Sequence, residues 1–161
     1  MTRRRVVEWE DPAPGLAVMP TMSGLDYLRT LIRGELPPPP IMAHLNMTLV
    51  DADVGTATFV CEPDESHYNP IGTVHGGYVC TVLDTVTACA VHSTLPQGMG
   101  YTSLDLNVSY LRAVTRDSGL LTARGWVTRP GRRAAFSQGE IRDGDGKVVA
   151  TATSTCLVFP R

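Results

Sequence analysis

NPIGTVHGGYVCTVLDTVTACAVHSTLPQG, residues 69–98, contains the most hydrophobic helical pattern of the chain and two adjacent glycines at its mouth. The pattern predicts a helix from Gly76 to about Leu95, stopped by Pro96 and Gly98. Inside a helix each glycine costs about 1 kcal/mol relative to alanine, so the pair needs a reason. At about 100° per residue, Val79, Val82, Leu83, Val86 and Ala90 form one stripe suited to packing on a sheet. Gly77, Thr81, Asp84 and Ala88 fall on the other side, a face of short side chains with one carboxylate. Asp84 is the only acidic or basic residue from Tyr78 to Leu95 apart from His92. A solvated helix face is normally laced with Lys and Glu, so a lone carboxylate here points to a partly desolvated site. The first turn of a helix also carries free backbone N–H groups at the positive end of its dipole. A glycine there leaves an N–H open to a substrate oxygen, as an oxyanion hole requires.

On either side of this helix the period changes to that of strands. NMTLVDA and TATFVCE flank the turn residues DADVG and read as a hairpin. SLDLNVSYL alternates strictly, setting Leu104, Leu106, Val108 and Tyr110 on one face. SGLLTARGWVTR, RAAFSQGEIRD and KVVATATSTCLVF continue as strands, joined by the turns PGRR and DGDGK. DGDGK lacks the later ligands of a calcium loop and reads as a hairpin turn. Strands outnumber helices and short turns imply antiparallel pairing, so the fold class is α+β, with one long helix across one face of the sheet. Upstream, Ser23 caps a short predicted helix carrying Leu25, Leu28, Leu31 and Ile32, with Gly34 near its end. Pro37–Pro40 then make a rigid spacer. Residues 1–22, charged at the start and then broken by Pro12, Pro14, Gly15 and Pro20, are expected to be a flexible N-terminal arm; residues 23–161 are expected to form one domain.

Composition excludes several classes. The chain has 161 residues, 43% of them hydrophobic, enough for a single domain with a real core, and a net charge of −2 gives no overall pull toward nucleic acid or anionic membrane. No apolar run reaches membrane-spanning length, and the basic start MTRRRVVEWEDPAPG lacks the apolar stretch of a signal peptide, so the expectation is a cytoplasmic protein. The four cysteines and four histidines show no metal-binding spacing; no metal or other cofactor is expected. One short helix over residues 23–34 is too little for a helix-turn-helix regulator.

The motif N-x-x-G-x-x-H-G-G-x(6)-D, formed by Asn69, Gly72, His75, Gly76, Gly77 and Asp84, resembles that of PaaI-type acyl-CoA thioesterases of the hotdog fold. TSLDLNVSYLRAV and RPGRRAAFSQGEIRDGDGKVVATATST are similar to later strands of that family, so the resemblance covers about residues 41–158 and omits the arm. It implies an antiparallel sheet wrapped around a central helix, and hydrolysis of a small-to-medium acyl or aryl-acyl CoA thioester to free acid and CoA. By position, Asp84 is the implied nucleophile or base, Gly76 the donor to the thioester carbonyl, Asn69 the residue orienting substrate or water, and Ser103 a helper in placing that water. The family pattern further implies a homodimer or homotetramer in which Asn69 and Gly76 of one chain meet Asp84 and Ser103 of another. His75 and Gly77 fit the motif as substrate-side residues. Arg132 and Arg133 in the RPGRR turn are candidates for the CoA phosphates, with Arg129 and Arg112 as further cations. An aspartate of ordinary pKa, about 3.9, is ionised at neutral pH and suits a nucleophile. Cys80 and Cys89 are alternative nucleophiles for which the sequence supplies no base. Rival readings on the same fold are a non-catalytic acyl-CoA binding module and a dehydratase or hydratase, which would need a different His–acid motif.

Overall fold

The computed structural model describes all residues 1–161. Its elements in chain order are α1 (Ala13–Val18), α2 (Gly24–Ile32), α3 (Pro40–His44), β1 (Met47–Asp53), β2 (Thr56–Cys61), α4 (Gly76–His92), β3 (Met99–Tyr110), β4 (Leu121–Arg129), β5 (Ala134–Arg142) and β6 (Val148–Pro160). The six strands form one antiparallel sheet in the order β1-β2-β4-β5-β6-β3, so β3 lies at one edge although it is third in sequence. The predicted α+β hotdog architecture, one long helix held against an antiparallel sheet, is what the chain adopts.

The apolar stripe of α4 builds the core. Val79, Val82, Leu83, Val86 and Ala90 are all buried, most of them against Phe59, Leu121, Ala123, Ile141 and Val149 of the sheet. Each such side chain contributes about 1.5–3 kcal/mol by leaving water. The helix backbone also comes unusually close to the strands. Gly125 of β4 and Gly139 of β5 are cross-strand partners directly beneath it. A Cβ on Gly125 would stand 2.1 Å from the Val86 carbonyl oxygen, and one on Gly139 would stand 2.9 Å from Thr87 Cγ2. The hydroxyls of this helix are satisfied within it: Thr81, Thr85 and Thr87 donate to the carbonyls of Gly77, Thr81 and Leu83 at 2.8–2.9 Å. At its far end His92 is buried between the rings of Tyr27 and Tyr101, and burial holds its pKa down to about 4.

Several local expectations change. Ala88, assigned to the open face of α4, is buried in a smaller cluster with Val91, Leu95, Ala135, Cys156 and Val158. The alternation of β3 breaks at Leu104, where the register with β6 shifts between Ser103 and Asp105; this bulge turns Leu104 outward, 60% exposed. α3 begins inside the proline segment at Pro40, because proline fits the first turn of a helix as well as a spacer. Residues 1–22 contain α1, and Arg5 reaches back to the domain. Its guanidinium donates to the Ala43 and His44 carbonyls at the end of α3 and to Asn46 Oδ1 (3.3, 3.0 and 2.9 Å), and lies 2.7 Å from His67 Nε2. The DGDGK hairpin turn forms as expected, with Asp143 Oδ1 accepting from the Asp145 and Lys147 amides.

If the helix–sheet distance is set at Gly125, then Gly125→Ala should lower stability by about 1–3 kcal/mol, the range for overpacking a filled core. Denaturant unfolding measures this; a stability equal to that of the wild type would show that the helix can lift without loss.

Candidate active site

The opening glycines sit at the first turn of α4. His75 is the residue before the helix, and its Nδ1 accepts from the Gly77 amide at 2.8 Å. Gly77 therefore offers no free N–H. Gly76 has the open one: as the first residue of the helix its amide has no acceptor within the chain. Gly76 is glycine for a steric reason as well, because a Cβ there would meet the Tyr110 ring at 3.0–3.3 Å. The Tyr110 hydroxyl lies 3.1 Å from the Gly76 carbonyl oxygen, to which it donates, and 2.9 Å from Cys80 Sγ.

Asn69 stands in the loop before the helix, and its side chain is occupied locally. Oδ1 accepts from the Ile71 and Thr73 amides at 3.1 Å each, and Nδ2 donates to Thr73 Oγ1 at 2.8 Å. It braces the loop that delivers Gly76 and keeps one amide hydrogen for another partner. Asn69, Thr73, His75, Gly76, Gly77 and Tyr110 line one cleft of about 480 Å³, and Arg112 stands at its wall with its guanidinium donating to the Val148 carbonyl at 2.6 Å.

Asp84 and Ser103 are not part of this cleft. They form a separate pair, Ser103 Oγ donating to Asp84 Oδ1 at 2.7 Å, with Asp84 half-buried on α4 and Ser103 exposed on the edge strand β3. Arg132 and Arg133 lie on the side of the sheet end nearest this pair. They are exposed in the β4–β5 turn, without side-chain partners, and the Ala135 that follows pairs with Cys156, the β6 residue that also pairs with Ser103. The cysteines offer little as nucleophiles: burial pushes the Cys61 and Cys89 thiols up to about 12, and the charge of Asp84 adds to the effect on Cys89.

Within one chain the two halves stand well apart. Gly76 and Asp84 are separated by two turns of α4, roughly 12 Å along its axis. A reacting carbonyl needs its oxygen at the N–H donor and its carbon about 3–3.5 Å from the attacking atom. The sequence alone did not show that Tyr110 meets Gly76 and Cys80. Tyr110 reads there as one more apolar member of an alternating strand, and Cys80 as a lone thiol.

Comparison with known proteins decides the family. The thioesterase superfamily model matches residues 71–150. Human acyl-coenzyme A thioesterase 13 is 31% identical over 111 residues, covering 68% of this chain and 77% of that protein. The chain belongs to the thioesterase superfamily. It is a thioester hydrolase. A Caenorhabditis elegans protein described as an esterase is 36% identical over 111 residues, 67% of this chain; the chain spans only 64% of that protein's length. The crystal structure of a phenylacetic acid degradation-related protein from Ralstonia eutropha JMP134 superimposes with a TM-score of 0.74 at 37% identity, covering 81% of this chain and 98% of that one.

Proposed function

We propose that this thioester hydrolase cleaves acyl-CoA thioesters with a small-to-medium acyl or aryl-acyl group, at a site shared by two copies of the chain. The observation that carries the reading is the separation of the free Gly76 N–H from the Ser103–Asp84 pair by roughly 12 Å of helix. A second copy removes the gap. β3 is an edge strand with its outer ladder unpaired, and Leu104, Tyr110 and Leu111 are exposed along it. Antiparallel pairing of two β3 edges, with Ser103 of one copy opposite Tyr110 of the other, sets each Asp84 across from the other chain's Gly76. Such a dimer is closed and symmetric; a second pairing makes the homotetramer. The four free cysteines suit a reducing, cytoplasmic setting.

In this site the thioester carbonyl oxygen accepts from the Gly76 N–H, aided by the positive end of the α4 dipole. The Asp84 carboxylate of the other copy, steadied by Ser103, either attacks the carbonyl carbon, giving a mixed anhydride that water then hydrolyses to the free acid and the restored carboxylate, or takes a proton from a water that attacks the carbon directly. The C–S bond breaks, and CoA leaves as a thiolate that is then protonated. His75 fixes the first turn through Gly77, and Asn69 fixes the loop. Arg132 and Arg133 are the free cations for the CoA phosphates. The name of the human relative, an acyl-coenzyme A thioesterase, supports the CoA ester as substrate. The cleft, with eight hydrophobic residues among its 14, supports an apolar acyl group. A non-catalytic binding module would have no use for the Ser103–Asp84 pair.

Asp84→Asn should lower kcat at least about a hundredfold on an acyl-CoA ester, the scale of a lost catalytic base or nucleophile. Its thermal unfolding should match the wild type, because Asp84 lies off the packed stripe; a folded Asp84→Asn chain with full activity ends this reading. The division of the site has its own test. Gly76→Val and Asp84→Ala chains, each nearly inactive, are mixed under conditions of verified exchange. Half of the dimers are then mixed and each carries one intact site, so about a quarter of wild-type activity should return. No return would put both residues in one chain's site. For the arginines, the same acyl group is compared on CoA and on N-acetylcysteamine. Arg132→Ala/Arg133→Ala should lose about tenfold or more in kcat/KM on the CoA ester, less at high salt, and little on the truncated ester. Equal losses on both esters would remove these residues from nucleotide binding.

A further inference from the structure

We propose that Tyr110 is a positioning residue for catalysis: it fixes the direction in which the Gly76 N–H points. The inference rests on the shared-site reading above and adds a residue that the motif does not contain. Two adjacent glycines make the most pliable start a helix can have. The peptide unit joining Gly76 to Gly77 is held from both sides by side chains. The Tyr110 hydroxyl donates to its carbonyl oxygen at 3.1 Å, and His75 Nδ1 accepts from its N–H at 2.8 Å. With that plane fixed, the preceding amide, the one without an acceptor, has a set direction. The Tyr110 ring also lies against Gly76 so closely that a Cβ would reach its hydroxyl at 3.0 Å.

Tyr110 is suited to the task. It ends the edge strand β3 and is anchored there by pairing with Ala150 of β6, so its backbone is rigid while its ring, 54% exposed, faces the cleft. The Cys80 thiol, one turn along α4 from Gly76, lies 2.9 Å from the hydroxyl and holds it in place from the other side. The hydrogen bond with Cys80 pushes the phenol pKa up to about 12, so the hydroxyl keeps its proton and remains a donor at neutral pH. Tyr110 therefore moves no proton in the reaction; it holds a peptide plane still.

The role separates from simple packing by three readouts. Tyr110→Phe keeps the ring and removes the bond to the Gly76 carbonyl. It should lower kcat about three- to tenfold, the effect of one neutral hydrogen bond, with KM and the shape of the pH profile unchanged. Thermal unfolding and the size of the assembly should match the wild type. Second, the loss on Gly76→Ala should be at least threefold smaller in a Tyr110→Ala background, because the ring that the new methyl meets is gone. A wild-type kcat in Tyr110→Phe overturns the proposal, as does a loss that tracks lowered thermal stability or dissociation, or a Gly76→Ala loss that is the same in both backgrounds. Asp84→Asn assayed alongside keeps the two readings apart. If it is inactive while Tyr110→Phe is unaffected, only the role of Tyr110 falls; if it is fully active, the shared site itself falls.

Discussion

The close approach of α4 to the middle of the sheet, with the Val86 carbonyl against Gly125 and the Thr87 and Val86 side chains against Gly139, governs the rest of the structure. A helix separated from a sheet by ordinary side chains would ride higher. Here two glycines paired across β4 and β5 remove that layer: Gly125 lets the helix backbone down onto β4, and Gly139 makes room for the Thr87 and Val86 side chains. The distance is set near the middle of the helix, so both of its functional ends inherit it. Asp84, two residues before the contact, comes within 2.7 Å of Ser103 on the edge strand. Ten residues before the contact, Gly76 comes under the ring of Tyr110. Both contacts use short side chains or none on the helix and require the same low helix. The polar residues of α4 other than Asp84 are short, and its threonines return their hydroxyls to their own backbone.

The edge strand imposes the second constraint. β3 carries one partner of each half-site, Ser103 near its middle and Tyr110 at its end, and its outer side has no ladder partner in the chain. An unpaired edge bearing Leu104, Tyr110 and Leu111 is an invitation to pair. The bulge at Leu104 matters here, because it turns a large apolar side chain away from the core to the outside. In the proposed dimer one pairing event covers this edge and assembles the site. Catalytic competence would then be a property of the assembly, and a monomer would hold a donor and a carboxylate that never meet.

Much of this was legible in the chain, and the limits are physical. The stripe from Val79 to Ala90, the hairpin of β1 and β2, the turns before β5 and β6 and the isolation of Asp84 are periodic or compositional features, and these survive folding because burial enforces them. The open N–H of Gly76 was legible because helix ends have fixed chemistry. What escaped depends on distances across the fold. Tyr110 lies 34 residues from Gly76, and nothing in an alternating strand marks which aromatic will meet a distant glycine. The motif that sets Asn69 and Gly77 together does not say that Thr73 and His75 already occupy their polar groups. Leu104 was misassigned because a bulge changes the face without changing the sequence pattern. Ala88 was misassigned because a small residue is equally at home against a neighbour or in a pocket.

For the proposed site, the choice of attacking group or base also follows from packing. Three kinds of candidate lie near the second half of the site: thiols, a hydroxyl and a carboxylate. Burial holds Cys89 up to about 12, and the nearby charge of Asp84 disfavours a thiolate there further, so at neutral pH it is a protonated, weakly nucleophilic thiol. Ser103 spends its proton on Asp84, and no imidazole stands beside it to take that proton away; His92, on the same helix, is held neutral between two tyrosine rings. The carboxylate remains. A carboxylate needs no separate base: it can attack directly or take a proton from water. A thioester suits so weak a nucleophile, since its thiolate leaving group departs far more readily than an alkoxide or amide. The chemistry therefore asks little of the protein beyond placement, which is why a site built from one aspartate, one serine and the bare amide of a glycine can suffice, and why the constraints on that glycine are as tight as those on the carboxylate.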